Sequence, residues 1–439
     1  MEDLNKYLQR GLLSYLFPSN LELLPGISEI YELELALLES KILQKEEIIK
    51  NGAFFARVDD RFTRHYLMCK GEPIKLPYYS STKLKDFFQK NQFKTGYATH
   101  GLFPYRGKFH PQMIKALINI MGLKPGDIIL DPMMGSGTVL IEARLMGIRS
   151  IGVDISPFCR FMTQVKLEAL TISTKPIINA LKNSEKVFSF FEKSMSFDGN
   201  NYFEDSLADQ LLASKTDKKL DEKEIKSIFN FLSLAYLDSV GYSERSKHKS
   251  HYEQFKAILE RYLFVVEKIQ RSLKGSEKEL GEATALEGDA RCIPLDDTSI
   301  DGIIFSPPYS FAIDYLKNDL FHLKYLGAKI EDLQKNMIGV RGERLIEKYR
   351  LYISDMKEVF SECARVLKKG KFCTIVIGTN SNQLSRILGQ SVDRVQGLDE
   401  IMVEIAKTCG FNFVQRIKRQ INGISNTMRT EYIIIFQRI

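Results

Sequence analysis

Short apolar runs alternate with helical patterns from Asp127 onward. The runs are D-I-I-L, S-I-G-V and G-I-I-F, and K-F-C-T-I-V-I-G adds a further one. Strands that alternate with helices are typical of a parallel sheet in an α/β domain. The fold class predicted from this pattern is therefore α/β with a mostly parallel sheet.

Helix ends and the last strands are also marked by the pattern. T-V-L-I-E-A-R-L-M-G predicts a helix closed by Gly147, and the segment from Leu351 to Gly370 predicts one closed by Gly370. F-N-F-V-Q-R-I-K-R-Q-I and T-E-Y-I-I-I-F-Q-R read as two strands joined by a turn that contains Gly and Asn. We expect a C-terminal hairpin on the edge of the sheet.

The sequence patterns also divide the chain into two predicted regions, the second of which contains an insertion. Residues 1–95 form a predicted N-terminal accessory region, in which I-Y-E-L-E-L-A-L-L-E-S-K-I has helical spacing. Residues 96–439 form the predicted main domain, which contains the sheet. Strand patterns disappear between about 165 and 283, and because an α/β crossover needs only about a dozen residues, this stretch predicts a helical insertion.

Composition limits the classes of protein that need considering. The 439 residues are 44% hydrophobic and 27% charged, as in ordinary soluble proteins. No apolar run approaches the roughly 18 residues needed to span a bilayer, so we expect no membrane contact and a cytoplasmic location. Six scattered cysteines without a C-x-x-C pair suggest neither disulfides nor a metal site. The net charge of +7 permits a polyanionic partner.

I-I-L-D-P-M-M-G-S-G-T-V-L-I-E-A predicts a strand, a turn with Gly135 and Gly137, and a helix that begins near Thr138. Such a turn lets a ligand reach backbone N–H groups at the positive end of a helix, although strand-to-helix turns also use glycine for steric reasons alone. The last position of the dinucleotide fingerprint G-x-G-x-x-G is Leu140 here, so that fingerprint is absent.

Three carboxylates fall at the ends of three predicted strands: Asp131, Asp154 and Asp289. Because open α/β sheets bind ligands at the carboxyl ends of their strands, the three side chains are expected to share one edge. Asp154 follows Gly135 by 19 residues, a position from which a carboxylate accepts hydrogen bonds from ribose hydroxyls. The set favours a cationic ligand that is rich in hydrogen-bond donors.

The run I-D-G-I-I-F stops at Ser306-Pro307-Pro308-Tyr309. The prolines end the strand and stiffen the loop, which carries two hydrogen-bond acceptors, the Ser306 hydroxyl and the Pro307 carbonyl, and then Tyr309. An ordinary exit from a strand with a packed tyrosine is the alternative interpretation.

D-P-M-M-G-S-G-T, G-V-D-I, G-D-A-R and S-P-P-Y occur in that order, preceded by G-L-F-P-Y-R-G-K-F-H-P-Q. Together they resemble the motifs of S-adenosylmethionine-dependent amino-methyltransferases that act on N4 of cytosine or N6 of adenine in DNA. The resemblance implies a Rossmann-like class I methyltransferase fold with a seven-stranded sheet, and S-adenosylmethionine as the cofactor.

The resemblance also assigns roles to individual residues. The loop that embraces the methionine part of the cofactor comprises Asp131, Pro132, Met133, Gly135, Ser136, Gly137 and Thr138. Asp154 and Ile155 would hold the ribose, and Asp289 with Ala290 the adenine. Lys108 would meet the cofactor carboxylate, unless it is a solvated surface lysine.

The expected reaction is direct in-line methyl transfer to a flipped-out base, without a metal. The Ser306 hydroxyl and the Pro307 carbonyl would accept hydrogen bonds from the amine of that base, and Tyr309 would offer a flat face on which the base stacks. Phe311 is a candidate wall of the base pocket, and Asp314 a candidate support, although both residues could equally serve packing or capping.

Within this family, serine in the first motif position favours N4 of cytosine as the target, with N6 of adenine as an alternative. Enzymes that methylate N2 of guanine in transfer RNA share a similar glycine loop, and a non-catalytic nucleic-acid-binding module is a further alternative.

DNA is the expected partner, with a cognate restriction endonuclease as a further candidate. Within the insertion, Y-S-E-R-S-K-H-K-S-H-Y carries Arg245, Lys247 and Lys249, which could contact phosphates. A solvated basic loop is the alternative for this run. The helical insertion is the largest candidate for the DNA recognition region. Its placement stays open, because relatives with this motif order often carry that region after the catalytic half.

Overall fold

A computed structural model of the protein describes residues 11–25, 27, 29–70, 96–105, 107–193, 221–243, 250–308, 314–420 and 430–439. The strands are β1 (Leu21–Leu23), β2 (Phe55–Val58), β3 (Arg61–Phe62), β4 (Ile128–Asp131), β5 (Arg149–Asp154), β6 (Ala283–Glu287), β7 (Ile300–Phe305), β8 (Leu367–Gly378), β9 (Phe411–Gln420) and β10 (Thr430–Arg438).

The helices in the described residues are α1 (Leu12–Leu16), α2 (Ile30–Ile42), α3 (Lys45–Asn51), α4 (Arg64–Lys70), α5 (Pro111–Ile120), α6 (Thr138–Leu145), α7 (Pro157–Glu168), α8 (Thr174–Lys182), α9 (Ser184–Lys193), α10 (Glu222–Ser243), α11 (His251–Leu273), α12 (Tyr315–Tyr325), α13 (Ile330–Asn336), α14 (Leu345–Val366), α15 (Ser381–Leu388) and α16 (Leu398–Thr408). Short 3-10 turns cover Ala98–Gly101, Glu277–Glu279 and Val392–Arg394.

The main sheet has seven strands in the order β6-β5-β4-β7-β8-β10-β9. The first five are parallel, whereas β10 runs antiparallel to both β8 and β9. This arrangement confirms the predicted Rossmann-like sheet with its C-terminal antiparallel hairpin. The strand order reverses between β4 and β7, and such a switch point opens a crevice at the carboxyl ends of the strands.

Two apolar layers enclose the sheet. Every residue of β7 is buried, so this strand lies at the centre of the molecule. One core contains Met113, Leu140 and Phe158, and the buried side chains of α2, α10 and α11 belong to the same cluster. The other core contains Phe305, Tyr352 and Phe360 on the opposite face. Burial of this much apolar surface is the main force that holds the layers together.

Most predicted elements match the structure, and one helix end differs. Gly147 follows the end of α6 with φ 78°, as predicted for a helix-closing glycine. The prediction that Gly370 closes a helix was wrong, because α14 ends at Val366 and Gly370 lies within β8 with φ 75°. The pairing of β7 with β8 shifts register here, and an irregularity of this kind also favours a glycine with positive φ.

Between α7 and β6, the described residues form α8, α9, α10, α11 and a short 3-10 turn. The rings of Phe231 on α10 and Tyr262 on α11 meet edge to face at 5.6 Å, so the two long helices pack on each other. In the part of the chain that the structure describes, no helix has both the length and the apolar composition needed to cross a bilayer.

Candidate active site

A crevice of about 990 Å³, measured with its open mouth, lies at the carboxyl ends of β4, β5, β6 and β7. Most of the residues predicted for the site line it. They are Lys108, Pro132, Met133, Gly135, Ser136, Thr138, Asp154, Ile155, Asp289, Ala290, Ser306 and Pro308. The structure therefore brings the glycine loop and the first residue of S-P-P-Y to the same cavity.

The glycine loop has a shape that side chains would obstruct. Gly135 and Gly137 have φ of 47° and 74°, in the left-handed region that favours glycine. A Cβ on Gly137 would lie 2.5 Å from Cγ2 of Thr163, and Thr163 also donates to the Gly135 carbonyl at 3.1 Å. The loop is thus held tightly against α7, with Gly135, Ser136 and Thr138 turned to the crevice.

Asp131 lies beneath the loop rather than on the crevice wall. Its side chain is fully buried, and Oδ1 accepts from the Met133 N–H at 3.1 Å. Within the described residues Oδ2 has no hydrogen-bond partner, and burial raises the pKa of this carboxyl well above its usual range. Gly137 and Pro307 are likewise next to the crevice without lining it.

Asp154 joins two loops at the end of β5. Its two oxygens accept from the backbone N–H groups of Ser156 and Gly135, each at 2.9 Å. Burial raises the pKa of Asp154 to about 6. Each carboxylate oxygen has a second lone pair, so the group retains acceptor capacity toward a ligand in the crevice.

Asp289 carries a partner that sequence reasoning missed. Nε and Nη2 of Arg291 donate to its two oxygens at 3.0 Å and 2.6 Å, while Nη1 reaches Asp355 at 2.9 Å. Nη2 also donates to the Asn336 carbonyl at 2.8 Å, and Arg341 pairs with Asp355. Although burial opposes ionisation, Arg291 holds the pKa of Asp289 below its usual range. Asp289 is therefore a fixed, ionised acceptor.

Lys108 lies in the crevice wall instead of projecting into solvent. Its ammonium donates to the His100 carbonyl at 3.0 Å, and burial together with the nearby Arg261 cation lowers the pKa of Lys108 to about 8. The surrounding segment also contributes Tyr105 and Phe109 to the crevice. Beside them α5 begins at Pro111.

Ser306 occupies the position that the motif predicts, directly after β7. Its hydroxyl donates to the Val376 carbonyl of β8 at 2.9 Å. Because a carbonyl can only accept, the single hydroxyl proton is committed to this bond. The lone pairs of Oγ remain available, so Ser306 faces the crevice as an acceptor.

Sequence reasoning missed the wall opposite the glycine loop. Tyr315, Asp319 and Leu323 line the crevice from α12. The last residue of α13, Asn336, and the following Met337 and Ile338 close it. The spacing of four residues in Tyr315, Asp319 and Leu323 is a helical signal that was present in the sequence. Asp314 begins α12 as its N-cap, accepting from the Lys317 N–H at 3.0 Å.

Several predicted residues lie outside the described part of the chain: Tyr309, Phe311, Arg245, Lys247 and Lys249. The roles assigned to them stay predictions. Among the described residues, no three His, Cys, Asp or Glu side chains come together in a group that could hold a metal ion.

Two family models match the chain in sequence. The model for an RMKL-like methyltransferase domain matches residues 102–320, and the model for a DNA methylase matches residues 300–438. Together the two matched ranges include the residues that line the crevice and all seven strands of the main sheet.

Individual relatives match shorter parts. The Type II methyltransferase M.MjaII of Methanocaldococcus jannaschii is 36% identical over 37% of this chain and 28% of its own length. The Type II methyltransferase M.BsoBI of Geobacillus stearothermophilus is 24% identical over 55% of each chain. A tRNA (guanine(10)-N2)-dimethyltransferase of Methanothermobacter thermautotrophicus is 49% identical over 12% of this chain and 16% of its own. The chain thus matches little more than half of these relatives at most.

Among solved structures, a SAM-dependent methyltransferase of Methanosarcina mazei aligns with 72% of this chain and 94% of its own. The sequence identity is 11% and the TM-score is 0.31.

Proposed function

The chain belongs to the S-adenosylmethionine-dependent DNA amino-methyltransferase family, and from this premise we propose that it methylates an exocyclic amine of a base in DNA. N4 of cytosine is the proposed target. The observation that carries the proposal is the position of Ser306, an acceptor-only hydroxyl in the crevice that the glycine loop also lines.

The crevice fits the cofactor of this family, S-adenosylmethionine. Because Gly135 has no side chain, the backbone of the loop is accessible where the methionine moiety of the cofactor would approach. Lys108 provides a cation for the carboxylate of that moiety. Asp154 keeps acceptor capacity for ribose hydroxyls, and Asp289 is an ionised acceptor for an adenine amine. When bound, the cofactor supplies an electrophilic methyl group on a sulfonium centre.

Ser306 and its neighbours would prepare the amine of the base. The lone pair of an exocyclic amine is delocalised into its ring, so the amine is a poor nucleophile until its N–H groups are held out of the ring plane. Oγ of Ser306 accepts one N–H, and the Pro307 carbonyl, in a loop that two prolines stiffen, is the proposed second acceptor. Alignment of this kind provides a large part of catalysis in reactions between bound partners.

The target must leave its stack to reach this position. A base inside a duplex is inaccessible, so the enzyme would act on an extruded or single-stranded nucleotide. Tyr309, which the sequence places three residues after Ser306, is the proposed stacking surface for that base.

The test is to incubate the protein with labelled S-adenosylmethionine and separate pools of DNA and RNA, and to identify the modified nucleoside by mass. Methylation of DNA cytosine at N4 is expected. N6-methyladenine in DNA would retain the enzyme class but change the base, whereas labelled RNA with unlabelled DNA would contradict the proposal. Detectable transfer to any polynucleotide would also exclude a non-catalytic module.

A second candidate is methylation of guanine N2 in transfer RNA. The high identity to a tRNA (guanine(10)-N2)-dimethyltransferase over a short segment favours it. In the same assay this activity would appear as N2-methylguanosine in the RNA pool. The pairing of the protein with a cognate restriction endonuclease stays a prediction.

A further inference from the structure

Helices α10 and α11, which we call the helical brace, direct buried polar groups toward the crevice wall. Asp238 on α10 and Tyr262 on α11 are both buried. Tyr262 donates its hydroxyl to Asp238 at 3.0 Å, and Arg261 donates to the same oxygen at 2.7 Å. The Tyr262 hydroxyl also accepts from the backbone N–H of Phe103 at 2.8 Å. A hydrogen-bonded chain thus runs from the brace into the segment that precedes the glycine loop.

Phe103 has an unusual backbone conformation. Its φ of 51° is in the left-handed region, which a bulky residue adopts only where its surroundings impose it. Tyr262 holds the Phe103 N–H, and the Phe103 ring packs edge to face on Phe158 at 5.1 Å and on His322 at 5.3 Å. The turn at Phe103 aims the following residues, Tyr105 and Lys108 among them, at the crevice.

The same brace also contacts the opposite wall. On α12, Nε2 of His322 lies 3.2 Å from the Leu237 carbonyl of α10, and its ring stacks on Phe158 at 4.5 Å. A Cβ on Gly241 of α10 would come within 2.9 Å of His322 Nε2, so the approach of the two helices is close. Since α12 carries Tyr315 and Asp319, the brace is in contact with both sides of the crevice.

We propose that the helical brace positions the two walls of the crevice relative to each other, with Tyr262 as the positioning residue for cofactor binding. Tyr262 acts through the backbone of Phe103, which leads into the crevice wall. The inference rests on the proposed function, from which the identity of the cofactor is taken. The insertion that contains the brace was predicted to recognise DNA. The role proposed here for the brace is a different one.

The test compares Tyr262→Phe with Tyr31→Phe. Both changes remove the hydroxyl of a buried tyrosine, but Tyr31 lies on α2, where its hydroxyl is hydrogen-bonded to Arg419. Calorimetry would measure the Kd for S-adenosylmethionine, and a methylation assay would measure kcat at saturating cofactor. We expect Tyr262→Phe to weaken cofactor binding roughly tenfold, because one buried partner is lost, and to leave kcat within about threefold. Tyr31→Phe should leave the Kd unchanged.

A purely structural role predicts a different result. If Tyr262→Phe lowers the unfolding midpoint as Tyr31→Phe does and leaves the Kd unchanged, the inference is wrong. Asp238→Asn gives a second measurement if Tyr262→Phe does not fold. It replaces the charged acceptor of Tyr262 and Arg261 with a neutral amide, which weakens both hydrogen bonds and so loosens the hold on the Tyr262 hydroxyl. It should weaken cofactor binding in the same direction, and an unchanged Kd would again overturn the inference. Failure of the wild-type protein to bind the cofactor would instead refute the proposed function, and the inference with it.

Discussion

At the scale of single residues, Ser306 shows how one hydrogen bond defines a chemical role. A serine hydroxyl is both donor and acceptor, and the Val376 carbonyl takes its only proton. An amine that enters the crevice therefore meets an oxygen that can only accept.

Ser306→Ala should lower kcat on the order of 10²-fold, because an oriented polar contact to the reacting group is removed, while the Kd for S-adenosylmethionine changes little. The matched control is Ser299→Ala, at the other end of the same strand, where the hydroxyl also donates to a backbone carbonyl, that of Asp296, at 2.7 Å. Steady-state kinetics and calorimetry on both variants check the prediction. Equal turnover by Ser306→Ala and wild type would remove Ser306 from the mechanism.

We expect Asp154 to make cofactor binding depend on pH. Burial raises its pKa to about 6, so the carboxyl gains a proton and loses an acceptor lone pair as the pH falls through that value. We expect the Kd for S-adenosylmethionine to rise between pH 7 and pH 5, approaching a tenfold increase per pH unit below the pKa.

Two variants distinguish the effect of Asp154 protonation on the Kd from the effects of other titratable groups. Asp154→Asn should bind more weakly at pH 7 and show little dependence on pH in this range. Asp289→Asn should retain the dependence, because the pKa of Asp289 is lowered and this carboxyl stays ionised throughout. A wild-type Kd that is constant between pH 5 and pH 7 contradicts the role of Asp154.

At the scale of elements, the glycine loop and α6 depend on how closely α7 approaches. Gly137 needs both its left-handed conformation and the absence of a Cβ, because Thr163 of α7 occupies the space. Gly275 has a similar φ of 85°, but a Cβ added there would meet nothing within 4 Å. A comparison of alanine variants at the two positions therefore separates the energetic cost of backbone strain from that of the steric clash with Thr163.

Gly275→Ala should cost about 1–2 kcal/mol of unfolding free energy through its backbone conformation alone. Gly137→Ala should cost about 1–3 kcal/mol more, because overpacking against Thr163 is added, and it should also weaken cofactor binding. Denaturant unfolding and calorimetry provide the two measurements. Equal losses of stability in the two variants would mean that the loop relaxes without resistance from α7.

At the scale of the whole molecule, the N-terminal region is joined to the main domain by buried polar contacts as well as by a shared core. Oε1 of Glu39 on α2 accepts from Asn119 of the α5 helix at 2.6 Å and from the Ala53 N–H at 3.0 Å. Its side chain is fully buried, and burial raises the pKa of Glu39 to about 7.

This shift makes stability depend on pH with a defined sign. The folded chain binds the Glu39 proton more tightly than the unfolded chain, so this group's contribution is complete below pH 4.5 and is lost as the pH rises to about 7. The loss should be at most about 3 kcal/mol. Denaturant unfolding of wild type and Glu39→Gln across this range should show a difference that changes with pH. The exposed control Glu282→Gln should show none, and parallel curves for Glu39→Gln and wild type would contradict the prediction.

The sequence by itself determined the sheet, the glycine loop and the motif serine, because these depend on local patterns: apolar runs, glycines in turns and prolines that end a strand. Asp154 and Ser306 could be predicted because a parallel sheet gathers the carboxyl ends of its strands at one edge. Only the tertiary structure decided the contacts between distant segments. Arg291 bound to Asp289, α12 as the opposite wall, and Tyr262 holding Phe103 across 159 positions are of this kind. Contacts of this kind form when distant segments pack together in three dimensions. They leave no periodic pattern in the sequence from which they could be predicted.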